Sequence, residues 1–245
     1  TRHDLSSLLC AIHGAAPCPP EVKRQMIEWW GPVITEYYAS TEGGGTVVFA
    51  DEWLRKPGTV GRPFANAEIV IMDDSGERLA AGEVGTVYFR SAMGPVEYFK
   101  DPQKTAAASR SGYFTVGDVG YLDEEGYLFL CDRKTEMIIS GGVNIYPAEV
   151  EAVLLAHPQV VDAAVFGIPN QEWGEEVKAV VEPKPGAQAG PQLAEEIAEF
   201  CRGRLARYKT PRSIDFVEEM PRDPSGKLYR RKLRDPYWAG QERRI

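Results

Sequence analysis

The segment from Asp132 to Glu151 places the strongest constraint on how this chain can fold. An apolar run, Met137-Ile138-Ile139, leads into Gly141-Gly142, where no side chain restricts a tight turn. Pro147 and the glutamates after it suit a first helical turn, because proline lacks an N–H that would have no partner there and carboxylates stabilise a helix N-terminus. The segment therefore predicts a strand, a glycine turn and a helix.

The sequence before this segment contains two regions with different patterns. Residues 1–45 predict an α/β piece with strands at 5–12 and 33–38 and a helix at 20–30. The first strand is apolar enough to be buried, and a chain that opens on such a strand is expected to be cut from a larger domain. Residues 46–131 contain short apolar segments between turn residues, which predict a small twisted barrel or sheet subdomain.

The sequence after it predicts a small domain of mixed α+β structure. Helices are expected at 147–156 and 193–205, with strands between and after them. A length of about 110 residues is usual for one domain. The predicted architecture is therefore α/β and α+β, with residues 1–132 as the C-terminal portion of a large domain and residues 133–245 as a smaller one.

Composition limits the class of protein. Hydrophobic residues make up 43% and charged residues 26%, as in ordinary soluble globular proteins. No apolar run approaches the roughly 20 residues of a membrane span, and the first residues lack a signal-peptide pattern. A cytoplasmic setting is therefore expected, with peripheral membrane contact left open. The cysteines show no metal spacing and are expected to be core or surface thiols: Cys10, Cys18, Cys131 and Cys201.

Charge is distributed unevenly along the chain. The formal net charge of −8 argues against general nucleic-acid binding, yet the segment from Cys201 onward carries 13 basic and 6 acidic side chains. A basic segment on an acidic protein suits a polyanionic small molecule such as ATP or CoA. A solvated basic face without a ligand explains the charge equally well.

Six segments, taken in order, resemble the motifs of the adenylate-forming superfamily. This superfamily includes acyl-CoA synthetases, the adenylation domains of peptide synthetases and firefly luciferase. The matching segments cover nearly the whole chain and lie at 14–17, 37–42, 113–118, 132–151, 205–211 and 221–231. The most specific are the segment at 132–151 and Pro221-Arg222-x-x-Ser225-Gly226-Lys227.

The resemblance implies a nucleotide site built from the first motifs. Gly14-Ala15-Ala16-Pro17 would lie against the adenine ring, and Tyr38 would stack on it. The hydroxyl of Thr41 would contact phosphate, and Glu42 would help to hold Mg²⁺, a cation that prefers carboxylate oxygen. Taken alone, a Thr-Glu pair fits a capped turn equally well.

Two further residues are implied as ribose ligands. Asp118 would accept hydrogen bonds from both ribose hydroxyls, which suits a carboxylate because it can accept two bonds at once. Val116 replaces the usual threonine of this motif, so only Asp118 is carried over. Arg133 would make the second ribose contact.

The resemblance also implies a moving second domain. Thr135 would be the hinge, although the family commonly has aspartate or lysine there. Gly141 and Gly142 would line the tunnel for the pantetheine arm of CoA, while the role of Asn144 stays open. Lys227 would be the catalytic residue, because a cation at developing negative charge commonly contributes about 10²–10³ in rate.

One family motif has no counterpart in these residues. Nothing resembles the Ser/Thr/Gly-rich loop with a lysine that cradles the β- and γ-phosphates, because Gly43-Gly44-Gly45 lacks the lysine and Ser225-Gly226-Lys227 lacks a Walker glycine. The chain is therefore expected to be the truncated C-terminal part of a longer synthetase and to be inactive alone.

The implied activity is that of an AMP-forming acyl-CoA ligase in lipid metabolism. It would convert an acid, MgATP and CoA into an acyl adenylate and then a thioester, with a fatty, bile or sterol acid suggested by the glycine motifs. One alternative is a ligase that loads an acyl-carrier protein, or an amino-acid adenylation domain. Another is a non-catalytic fragment that binds nucleotide or CoA. The acid and the oligomeric state stay open.

Overall fold

A computed structural model describes residues 3–65, 67–91, 94, 96–224 and 226–240. The chain divides into two compact units, Thr1–Lys134 and Thr135–Ile245. Both units combine β-sheets with helices, which confirms the predicted class of α/β and α+β structure.

The first sheet of unit 1 has four strands in the order β1-β2-β3-β4, with β1 parallel to β2 and the other neighbours antiparallel. Helix α1 begins with proline and stops at Gly31, whose φ is 84° and whose N–H bonds to the carbonyl oxygen of Ile27. The helices pack on a core around Trp53. The elements are β1 (Ala11–His13), α1 (Pro20–Trp30), β2 (Ile34–Ala39), β3 (Gly45–Phe49), α2 (Ala50–Arg55) and β4 (Arg62–Pro63).

The first predicted strand is shorter and more exposed than expected. Only Ala11–His13 pairs with β2, and the side chains of Leu9 and Ile12 are 89% and 73% exposed. Among the residues that the structure describes, β1 lies at the edge of its sheet and pairs on one side alone. The prediction of a buried strand over 5–12 was therefore wrong, whereas the helix at 20–30 is confirmed.

The second sheet of unit 1 has six strands, in the order β10-β9-β6-β8-β7 with β5 also paired to β6. Its core includes Val87, Phe89 and Leu128. Among the residues that the structure describes, the pairings leave this sheet open, so it is a sheet and not the alternative barrel. The elements are β5 (Ala67–Met72), β6 (Gly85–Ser91), α3 (Pro102–Ala108), β7 (Ser109–Arg110), β8 (Tyr113–Phe114), β9 (Asp118–Leu122) and β10 (Leu128–Arg133).

Unit 2 is built on the long hairpin of β13 and β14. The strand order is β12-β11-β14-β13, with β15 parallel to β14. The elements are β11 (Ile138–Ser140), β12 (Val143–Ile145), α4 (Pro147–Leu155), β13 (Val160–Asn170), β14 (Gly174–Pro183), α5 (Pro191–Arg202), β15 (Ser213–Phe216) and α6 (Arg230–Arg234), with 3-10 turns at Arg207–Lys209 and Asp235–Trp238. The predicted helices at 147–156 and 193–205 are confirmed within a few residues.

The two faces of this hairpin bury different segments. Alternate residues such as Val165 join Val150 of α4 and Ile197 of α5 in one core. The intervening residues, such as Phe166, face Met220 and the C-terminal segment. Strand periodicity therefore assigns α4 and α5 to one face, and Met220, Leu228, Leu233 and Tyr237 to the other. No helix within the described ranges is long and apolar enough to cross a membrane.

Candidate active site

Three of the predicted nucleotide ligands meet in unit 1. The phenol of Tyr38, on β2, donates a hydrogen bond to Oδ2 of Asp118, and Nε of Arg133 lies 3.3 Å from Oδ1 of the same carboxylate. Asp118 starts β9 and Arg133 ends β10, and the antiparallel register places the two directly opposite each other. Both carboxylate oxygens of a buried aspartate therefore face groups that were selected from separate motifs.

The environment keeps the Tyr38 phenol in its donor form. Burial raises the pKa of Tyr38, and the negative charge and hydrogen bond of Asp118 raise it further. The ring lies beside Phe89, with a centroid distance of 5.9 Å. Asp118 is 7% exposed, whereas the Arg133 side chain is 66% exposed. Arg133 is thus the member of the cluster most accessible to a ligand.

The segment expected to contact adenine lies against the neighbouring tyrosine. A Cβ atom built on Gly14 would come within 2.6 Å of the Tyr37 ring, so only glycine fits there without a shift of that ring. Ala15 has a φ of 71°, in the left-handed region that a residue with a Cβ atom rarely adopts. Tyr37 and Tyr38 are neighbours on β2, so their side chains point to opposite faces of the strand, and the ring beside Gly14 is that of Tyr37.

Thr41 and Glu42 lie in the turn between β2 and β3. Ser40 holds this turn, because its hydroxyl donates to the carbonyl oxygen of Gly43 at 2.8 Å. Thr41 is exposed, and Oε1 of Glu42 accepts a hydrogen bond from the Tyr98 hydroxyl at 3.0 Å.

The metal-binding chemistry of this turn rests on one carboxylate. In the described part of the chain, no group of three or more His, Cys, Asp or Glu side chains could hold a metal ion. Mg²⁺ is usually held by one or two carboxylates together with substrate phosphates and water, so a single Glu42 is a suitable type of ligand.

A buried ion pair beside this site was missed by the sequence analysis. Lys23 of α1 pairs with Glu36 of β2, and Nδ1 of His13 lies 3.3 Å from the other oxygen of Glu36. Burial would raise the pKa of Glu36, but the interactions with His13 and Lys23 outweigh it and hold the pKa below its ordinary value. The only indication of this ion pair in the sequence is that polar residues interrupt apolar runs, and that pattern does not show which residues pair.

The predicted CoA-tunnel glycines form the turn between β11 and β12. Ser140 pairs with Val143, and Gly141 and Gly142 between them have φ values of 58° and 80°. Two positive φ angles in a two-residue hairpin loop correspond to a type I′ turn, which favours glycine.

The two glycines of this turn have different surroundings. The N–H of Gly141 donates to the carbonyl oxygen of Trp173 at 2.8 Å, and a Cβ atom on Gly141 would come within 2.5 Å of the Trp173 ring. A Cβ atom on Gly142 would meet nothing within 4 Å. Gly141 is therefore required by packing and by backbone conformation, and Gly142 by conformation alone.

Lys227 lies at the end of a tight turn, and its side chain is exposed. Its N–H donates to Oδ1 of Asp223 at 3.0 Å, and its carbonyl oxygen accepts from the Asp223 N–H at 2.9 Å. An isolated bridge between Arg222 and Leu228 extends this pairing. Ser225, in the same motif, lies outside the described residues. The bonds with Asp223 therefore fix the backbone of Lys227 itself, and its side chain is exposed.

A cluster of charges follows the lysine turn. Arg230 and Arg234 of α6 each place a guanidinium nitrogen 3.7 Å from Oε2 of Glu136. Arg230 also donates to Glu151 of α4 at 2.6 Å, and Glu151 accepts from the N–H of Val165 at 2.8 Å. The residue directly after Thr135 is thus tied to the helix directly after the lysine turn.

Comparisons with known proteins match these motifs. The family model described as AMP-binding enzyme matches residues 1–98, and the one described as AMP-binding enzyme C-terminal domain matches residues 149–227.

Curated relatives include ligases with two kinds of acceptor. A 2-succinylbenzoate–CoA ligase of Geobacillus kaustophilus is 42% identical over 92% of this chain and 45% of its own length. The long-chain-fatty-acid–CoA ligase FadD13 of Mycobacterium tuberculosis is 39% identical over 93% and 44%. The fatty acid–[acyl-carrier-protein] ligase ScoC of Streptomyces coeruleorubidus is 35% identical over 99% and 47%. The chain thus spans about half the length of the relatives that it matches.

Similar solved structures include the amide bond synthetase McbA of Marinactinospora thermotolerans, with a TM-score of 0.87 and 37% identity over 96% of this chain and 48% of that one. The o-succinylbenzoate CoA synthetase MenE of Bacillus subtilis, in complex with its acyl-adenylate intermediate, has a TM-score of 0.83 and 32% identity over 100% and 49%. The ranges that the two family models match contain the segments at 14–17, 37–42 and 205–211 and residues 221–227 of the last segment. The chain therefore belongs to the adenylate-forming family of AMP-binding enzymes.

Proposed function

We propose that the whole protein is an AMP-forming acid–thiol ligase that uses CoA as its acceptor. The carboxylate of an acid attacks the α-phosphorus of MgATP, the bond to pyrophosphate breaks, and an acyl adenylate forms. The CoA sulfur then attacks the acyl carbon and releases AMP, while the thiol proton passes to solvent. The observation that carries this proposal is the convergence of Tyr38 and Arg133 on the buried carboxylate of Asp118.

Unit 1 supplies the nucleotide contacts in this proposal. Asp118 accepts hydrogen bonds from the ribose hydroxyls, and the exposed guanidinium of Arg133 reaches the same sugar. The Gly14 segment and the ring of Tyr38 would offer flat surfaces for the adenine ring, because small residues allow a ring to approach the backbone. Thr41 would contact phosphate, and Glu42 would help to hold the Mg²⁺ that accompanies ATP.

Unit 2 supplies a cation for the first step and an approach for the second. Lys227 places its ammonium between the attacking carboxylate and the α-phosphate, where negative charge accumulates. The Gly141-Gly142 turn gives the pantetheine arm a passage to the acyl carbon. We assign residues 1–132 to the adenylate-binding domain and residues 133–245 to a mobile domain that turns about Thr135 between the two steps.

The acceptor separates CoA ligases from their near relatives. A CoA ligase is favoured because two of the three relatives described above are named as CoA ligases, including one for long-chain fatty acids. The carrier-protein alternative is favoured by the similarity to ScoC. An amide-forming acceptor would use the same adenylate, as the similarity to McbA suggests.

The test uses the full-length protein and a panel of carboxylic acids. We expect acid-dependent exchange of pyrophosphate into ATP, followed by thioester formation when CoA is added. Holo acyl-carrier protein and a primary amine are supplied in parallel as rival acceptors. Faster transfer to either rival would overturn the choice of CoA, and the absence of exchange with every acid would overturn adenylation itself.

A further inference from the structure

The side chain of Arg222 joins the lysine turn to strand β13. Its Nε and Nη2 donate to the two carboxylate oxygens of Asp162 at 2.7 Å and 2.9 Å. Its Nη1 donates to the carbonyl oxygen of Gly226 at 2.6 Å. One planar group therefore spans a strand and the residue immediately before Lys227.

Asp162 provides a firm anchor for this arginine. It follows an irregularity in the pairing of β13 with β14, where the register shifts between Val160 and Asp162. Its Oδ1 also accepts from the N–H of Ala163 at 2.9 Å, and its side chain is 16% exposed. A carboxylate held by its own backbone and bonded at both oxygens has little freedom to move. Bidentate charge-assisted pairs are stronger and more directional than single hydrogen bonds.

Backbone bonds within the turn also restrain it, including one from the N–H of Gly226 to the carbonyl oxygen of Asp223 at 2.9 Å. Its backbone pairing is made by Asp223 and Lys227, and the Arg222–Leu228 bridge closes its base. The contact with Gly226 is different, because the guanidinium that makes it also bonds to Asp162, so the peptide unit next to Lys227 is linked to strand β13 as well as to the arm of the turn that carries Arg222. Movement of that peptide unit would move the Cα atom of Lys227 with it.

We propose that the Arg222–Asp162 pair holds Lys227 in position for adenylation. This inference rests on the proposed role of Lys227 in that step. Three N–H groups of Arg222 are engaged by protein oxygens, so its function is to hold the turn. Lysine cannot replace it, because a single ammonium on a flexible stem cannot form the planar fork. A displacement of about 1 Å at a reacting group can cost roughly 10²-fold in rate.

The test measures both half-reactions of the full-length protein after Arg222→Lys, Asp162→Asn and the double substitution. For Arg222→Lys we expect kcat for adenylation to fall by roughly tenfold to a hundredfold, with KM for ATP changed less than about twofold. Transfer from a preformed acyl adenylate to CoA should be unchanged. The double variant should lose no more than the worse single variant, because the two residues act as a unit.

Arg204→Lys is the matched control. It makes the same chemical change at an exposed arginine of unit 2 that contacts Phe200, so it should leave both half-reactions unaltered. Normal adenylation in a folded Arg222→Lys protein would overturn the inference. So would equal losses in both half-reactions, or additive losses in the double variant.

A parallel Lys227→Ala variant separates the two levels of the proposal. If that variant adenylates normally, the proposed role of Lys227 fails and the positioning role fails with it. If Lys227→Ala is defective while Arg222→Lys is normal, the positioning role alone is wrong.

Discussion

At the scale of single residues, the exposed ammonium of Lys227 is the group most directly open to test. In the full-length protein, Lys227→Ala should lower adenylation by about 10²–10³, because it removes a cation from the developing charge at the α-phosphate. Transfer from a preformed acyl adenylate should be nearly normal. Pyrophosphate exchange and single-turnover thioester formation measure the two steps. Equal loss in both would contradict a role confined to adenylation.

Glu36 makes a second residue-scale prediction, which concerns pH. Its pKa in the folded state is held below the ordinary 4.5 by the interactions with His13 and Lys23, which outweigh burial. A lowered folded pKa contributes stability above the unfolded pKa, and that stability is lost as pH falls through the folded value.

Wild type and Glu36→Gln should therefore differ most in melting temperature near neutral pH. The difference should narrow below about pH 4.5, where Glu36 takes up a proton in the unfolded chain. Glu21→Gln, at an exposed position of α1, is the control. A difference that stays constant down to pH 3 would show that the charge of Glu36 is not involved.

At the scale of elements, the hairpin of β11 and β12 allows two effects of a substitution to be distinguished. One is strain in the backbone, and the other is obstruction of the proposed pantetheine passage. Gly142 has a φ of 80° and open space beside it, so Gly142→Leu would strain the backbone as well as add bulk. Asparagine tolerates the left-handed region better than other residues with a side chain. Gly142→Asn should therefore leave the melting temperature and pyrophosphate exchange near wild type and abolish thioester formation.

The neighbouring glycine supplies the control for this experiment. Gly141→Asn should destabilise the fold, because a Cβ atom there would come within 2.5 Å of the Trp173 ring. If Gly142→Asn stays folded and still forms the thioester, the pantetheine passage does not run beside Gly142.

The elements themselves were largely predictable from local pattern. The turn at Gly141-Gly142 and the helix after Pro147 follow from glycine and proline chemistry within a few residues of chain. The pairing of Asp162 with Arg222 was not predictable, because it joins residues 60 positions apart. The exposure of Ile12 was also not predicted, because the apolar character of a strand does not show whether other parts of the chain pack against it.

The same limit applies to the candidate site. Tyr38, Asp118 and Arg133 were each singled out by resemblance to a motif, but the register of β9 and β10 was needed to show that Asp118 and Arg133 meet. Likewise, the placement of Tyr37 beside Gly14 depends on the parallel pairing of β1 with β2. Sequence motifs identify candidate groups, whereas contacts between strands decide which groups share a ligand.

At the scale of the whole molecule, we predict that the 245 residues alone form no acyl adenylate at an enzymatic rate. They contain no segment that resembles the loop that cradles the β- and γ-phosphates. The measurement is pyrophosphate release with ATP, Mg²⁺ and fatty acids of several lengths. Steady release that scales with protein concentration would contradict this prediction.

Unit 2 should fold by itself. It has apolar cores on both faces of its hairpin, and its last described residues contact the sheet, since Nε1 of Trp238 donates to the carbonyl oxygen of Gly167 at 2.9 Å. A polypeptide of residues 135–240 should unfold cooperatively in urea. A polypeptide of residues 135–234 lacks Tyr237 and Trp238, and we expect it to have a lower midpoint. A broad, non-cooperative transition for the longer one would contradict independent folding.

The charge cluster on α6 has a consequence for the proposed turning motion. Within unit 2, Glu136 forms ion pairs with Arg230 and Arg234 at 3.7 Å. Within unit 1, the N–H of Lys134 donates to the carbonyl oxygen of Gly117 at 2.8 Å. These contacts lie on either side of Thr135. We therefore expect the backbone rotation in the proposed motion to occur in the few bonds around Thr135. In the proposed rotation, the torsion angles that change would be those of Lys134, Thr135 and Glu136, while the contacts on either side of them would be kept.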